Sequence, residues 1–90
     1  MRLIWDDRAR RDLREVLDYI SDRNIVAAER LEETISHTLE FLTIHPFMYR
    51  AGRISRTREA VVHPNYVVVY SVDDDLITIR RVLHARQNYP

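Results

Sequence analysis

The sequence predicts an α+β fold, a helical hairpin packed on a mostly antiparallel four-stranded sheet in the order β-α-α-β-β-β. Three observations predict it. Apolar residues recur every three or four positions from Ala9 to Ile20, and again from Ala28 to Leu42. Only about three residues separate the two stretches, which suits an antiparallel helical turn. Beyond Ser55 the pattern changes to segments rich in Val, Ile, Thr and Tyr, divided by turn residues.

The elements follow in order. Arg2–Trp5 alternates as a short strand. Asp6 or Asp7 then offers a carboxylate to the free amides of a first helical turn. Ala9, Leu13, Val16, Leu17 and Ile20 form the apolar stripe of that helix, which ends near Ser21–Asp22. Asn24 is a second cap. Ala28, Leu31, Ile35, Leu39 and Leu42 form the next stripe, stopped at His45-Pro46 because proline has no amide to donate. Pro46 to Ser55 reads as a loop holding the only glycine, Gly52. Thr57–His63, Tyr66–Asp73 and Leu76–Leu83 read as a three-stranded meander, with turns at Pro64-Asn65 and Asp73-Asp74-Asp75. Two helices on one face of such a sheet can close a single core.

Ninety residues make one domain, spanning 1–90. A chain of this size buries roughly 60–65% of its unfolded surface and folds with little margin. Hydrophobic residues at 46% and zero net charge set it apart from a disordered chain. The absence of cysteine excludes a disulfide framework and thiolate metal ligands, and fits a cytoplasmic setting. The longest apolar run, Tyr66–Tyr70, is far too short to span a bilayer, so no membrane role is expected. Met1–Trp5 runs straight into acidic residues, unlike a signal peptide. Charge is unevenly spread. Residues 1–49 hold seven Arg against ten Asp and Glu, a net of −3. Residues 50–90 hold seven Arg against four acids, a net of +3. Every basic residue is Arg, which favours planar recognition of phosphate or carboxylate and excludes any mechanism built on a lysine.

Several stretches, in order and spacing, resemble toxins of the RelE/ParE superfamily. They are Met1–Trp5 before an Asp-rich helix start, Asp12-Leu13, Asp18-Tyr19-Ile20, Arg58-Glu59 before a valine strand, Tyr66–Val72, and Ile79–Arg86. The resemblance covers nearly the whole chain. It implies the toxin of a type II toxin–antitoxin system, held inactive by a cognate antitoxin. It also implies one of two targets: mRNA in the ribosomal A site for the RelE branch, or DNA gyrase for the ParE branch. Operator DNA is then reached only through the antitoxin. No cofactor and no metal is expected, and His37, His45 and His63 lack ligand spacing.

RNA cleavage by a 2′-hydroxyl needs a base, stabilisation of the charged phosphorane and a proton for the leaving oxygen. The RelE branch supplies these with basic residues and a tyrosine, and related members with a Glu, an Arg and a His near the C-terminus. Both groups place an Arg just ahead of the central strand's Leu-Val-Tyr, where this chain has Val67. The family's lysines have no Lys counterpart. Tyr89 stands nearer to Arg86 than the catalytic tyrosine does to its arginine, so that role does not pass to it. His84, Arg86 and Glu59 remain as candidates for RNA chemistry. Arg58, Arg80, His84 and Arg86 are expected to form a target-binding basic patch, with Arg80, Val82 and His84 on one face of a regular strand and Ile79, Arg81 and Leu83 on the other. The departures favour a ParE-like toxin acting on gyrase. The alternatives are a ribosome-dependent mRNA endonuclease and a non-toxic member that only binds its antitoxin. An antitoxin segment rich in acidic and apolar residues is expected along a sheet edge or across the helices, its acids pairing with Arg of residues 50–90.

Overall fold

The computed structural model describes residues 1–88; Tyr89 and Pro90 lie outside them. The elements are β1 (Arg2–Trp5), α1 (Asp7–Ser21), α2 (Ile25–Ile44), β2 (Arg50–Ala51), β3 (Arg58–His63), β4 (Tyr66–Asp73) and β5 (Leu76–His84). The two helices start where short polar side chains can cap them. Asp6, not Asp7, caps α1 and accepts the Arg8 amide at 2.9 Å. Asn24 caps α2 and accepts the Ala27 amide at 3.0 Å.

The strands form one sheet in the order β1-β5-β4-β3-β2. β1 runs parallel to β5, and the other neighbours are antiparallel. The helical hairpin covers one face. Ala9, Leu31, Ile35 and Leu42 meet Ala60, Val62, Val68, Tyr70, Ile77, Ile79 and Val82 there. The other face is open apart from a small cluster of Val67, Val69 and Leu83, over which Ile54 and Ala85 fold. Each fully buried aliphatic side chain contributes roughly 1.5–3 kcal/mol.

Two expectations are corrected. The sheet has five strands, not four, because Arg50 and Ala51 pair with Glu59 and Arg58. A two-residue ladder is too short to show a period of two, so the sequence reads it as loop. Nor is β5 regular. Opposite β4, Val69 pairs with Arg81 while Tyr70 pairs with Ile79, so Arg80 is the extra residue of a bulge. The bulge turns Val82 into the helix-side core and Leu83 onto the open face. Arg80, Val82 and His84 therefore do not share one face.

Asp12 pins this irregular point to α1. Its carboxylate accepts from Arg81 Nε at 2.7 Å, from Arg81 Nη2 at 3.2 Å and from the Val82 amide at 3.0 Å. Both side chains are largely buried, so the fork-to-carboxylate bond is shielded from water.

Candidate functional site

The residues singled out by sequence are divided among separate places. Arg58 lies on the helix side. Its Nη1 donates to the carbonyls of Phe47 at 3.1 Å and Tyr49 at 2.7 Å, and its guanidinium lies over the Phe47 ring. It clips the segment after α2 onto the sheet. Glu59 points to the other face and is buried. Its carboxylate accepts from Arg50 Nη2, from Arg53 Nε and from the Arg53 amide, at 3.3, 3.2 and 3.1 Å. A carboxylate held this way ties down the loop before β3 and is poorly placed to accept a substrate proton.

His84 ends β5 beside Tyr66, whose ring lies between His63 and His84 with centroids 5.5 Å from each. Nδ1 of His84 accepts the Arg86 amide at 3.1 Å. That bond assigns the proton of the neutral ring to Nε2. Arg86 itself is exposed. Val67 is buried in the open-face cluster.

Arg80 belongs to a different place, a cleft of about 450 Å³ between the loop before β3, the open face of the sheet and the start of α1. Arg8, Arg56, Arg80 and Arg81 line it, with Asp6 and Asp73 and the hydroxyls of Ser55, Thr57 and Ser71. Arg80 Nε donates to Ser71 Oγ at 3.0 Å, and Nη1 lies 3.9 Å from Asp6 Oδ2. That ion pair is long and its partners are well exposed, so it is weak. The guanidinium groups of Arg8 and Arg56 have no partner among the described residues.

Similarity to known proteins places this geometry. The family model described as the ParE toxin of the type II toxin–antitoxin system parDE matches residues 3–89. The chain belongs to the ParE toxin family. It is 35% identical over 86 residues to Toxin RelE2 of Caulobacter vibrioides, covering 93% of this chain and 94% of that one. It is 36% identical over 90 residues to Putative toxin Y4kP of Sinorhizobium fredii, covering 99% and 93%. Its fold is similar to a structure of the chromosomal ParDE system of P. aeruginosa, with a TM-score of 0.76, 19% identity and coverage of 93% and 95%. The RelE/ParE resemblance read from the residues is therefore right, and the chain is a type II toxin–antitoxin toxin of that superfamily.

The toxin's cleft contains two residues that the sequence reading did not select, Arg8 and Arg56. Arg8 sits in the acidic first half and is recruited only by the fold. Arg56 is left-handed, at φ 65°, a conformation that costs a non-glycine residue about 1 kcal/mol or more. No sequence signal points to it, since Asn or Gly is the usual occupant. No helix among the described residues is long and apolar enough to cross a membrane.

Proposed function

We propose that this toxin is neutralised by a cognate antitoxin and, once free, acts on DNA gyrase in the cytoplasm through a binding surface rather than by cutting RNA. The observation that carries this reading is the state of the acid–base groups. Glu59 is buried in arginine contacts, and Nδ1 of His84 is occupied by the Arg86 amide. Val67 is buried where phosphorane stabilisation asks for a cation, and there is no lysine. Among the candidates only Arg80 and Arg86 remain open to a target, and charge without a base binds better than it catalyses.

An antitoxin partner is supported by the family and by the ParDE fold neighbour. The helical hairpin also offers an apolar cleft floored by Trp5, Leu13, Ile35 and Leu39 and rimmed by Glu29, Glu32 and Glu33, a shape suited to an amphipathic segment. The second reading is an mRNA endonuclease, favoured by the relative named RelE2. Induced expression without antitoxin separates the readings. Filamentation with DNA-damage signalling is expected. An immediate stop of translation supports the endonuclease, and undisturbed growth supports the non-toxic member.

A further inference from the structure

We propose that the open-face cleft is a carboxylate site, filled by an acidic side chain of the antitoxin when the toxin is neutralised. The inference rests on the antitoxin reading above and adds where and how the partner is held. Two independent irregularities of the backbone serve the same cleft. The bulge in β5 leaves Arg80 unpaired in the ladder and directs it over Ser71 on the open face. The left-handed turn at Arg56 brings a second arginine to the cleft from the loop opposite. Bulges and strained residues persist where they aim a side chain at something.

The loop that carries Arg56 is firmly built. The Gly52 amide donates to Thr57 O at 2.7 Å, and Thr57 Oγ1 donates to Ile54 O at 2.6 Å. A side chain at Gly52 would collide with Thr57 Oγ1, so the only glycine is where the loop closes most tightly. Buried Glu59 holds the Arg53 amide of the same loop, and Arg53 Nη1 donates to the Gln87 carbonyl. Arg56 is therefore presented on a fixed frame at little further entropic cost.

Charge decides the occupant. Four arginines and two aspartates line the cleft, a net of +2. Arg81 is already committed to Asp12, whereas the guanidinium groups of Arg8 and Arg56 have no partner among the described residues and Arg80 holds Ser71 Oγ with only a distant carboxylate. That balance suits a discrete anion. A nucleic-acid strand is disfavoured, because Asp6 and Asp73 interrupt the row of arginines in the cleft and would face its phosphates. Arginine forks match a carboxylate geometrically, and the nearby hydroxyls can complete its shell.

The test measures binding of the full-length toxin to the antitoxin encoded beside it, from low to high salt. Wild type is compared with Arg56→Gln, Arg80→Gln and Arg30→Gln, the last on the exposed surface of α2 away from the cleft. Circular dichroism and melting check that each variant is folded. Arg56→Gln and Arg80→Gln should each weaken the complex by about tenfold and flatten its salt dependence, with Arg30→Gln unchanged. Tight complexes with unchanged affinity in both cleft variants would overturn the carboxylate site while leaving the toxin–antitoxin pairing intact. Absence of any complex with wild-type toxin would instead remove the reading beneath it. An oligothymidylate probe supplies the remaining arm. If it binds wild-type toxin, is lost with Arg56→Gln and Arg80→Gln, and antitoxin affinity does not move, the cleft takes phosphodiesters and the proposal fails.

Discussion

Tyr70 is the bulkiest of the fully buried side chains, and its hydroxyl donates to the Pro46 carbonyl at 2.8 Å, fastening the end of α2 to the centre of the sheet. Burial pushes its phenol above the ordinary 10.0, with the Arg58 charge pulling the other way. The sign follows from linkage. The unfolded chain releases this proton at a lower pH than the folded one, so the contribution is intact below about pH 10 and fades as pH rises through the folded value. Tyr70→Phe should cost about 1 kcal/mol at neutral pH from the lost hydrogen bond. It should also reduce the alkaline fall in stability, measured by urea unfolding at pH 8 and pH 10.5. His84 makes a second prediction at this scale. If His84 takes no part in RNA cleavage, His84→Ala keeps full growth arrest with a native circular dichroism spectrum. Loss of arrest in that folded variant would favour the endonuclease. Of the residues chosen from sequence, Arg80 and Arg86 are exposed. The burial of Glu59 and the His84 bond to its own turn depend on neighbours that a linear reading does not reveal.

Among the elements, the helices were the most legible. Asp6 and Asn24 cap where short polar side chains precede apolar stripes, and Pro46 stops α2. The Val-rich strands were legible from their β-branched and aromatic composition and the turn residues between them. The parallel pairing of β1 with β5 was not, because it joins the two ends of the chain. The bulge was hidden too. Ile79-Arg80-Arg81-Val82 alternates plausibly in either register, and what selects the bulge is Asp12, 69 residues from Arg81. That contact can be broken. Asp12→Ala leaves Arg81 half-buried without its carboxylate and frees the Val82 amide, so it should cost roughly 2–4 kcal/mol. Chemical denaturation should show a lower midpoint with an unchanged slope. Adding Arg81→Ala should cost less than the two single losses summed, as expected for one shared interaction.

Across the whole molecule, the charge imbalance between the halves translates into surfaces. The acidic half supplies the whole helical hairpin, including the Glu29, Glu32 and Glu33 rim. The basic half supplies the loop and meander, and Arg8 crosses over to complete the open-face cleft. The hairpin and the open face thus carry separate clefts of opposite charge character. The proposed mode of action is the holding of a protein target. The most direct measurement incubates purified toxin with DNA gyrase, ATP and relaxed or supercoiled plasmid, beside ribosomes programmed with mRNA. Cleaved plasmid trapped by gyrase and intact message on the ribosome are the expected results. Unaffected gyrase with mRNA cut in the A site would contradict it.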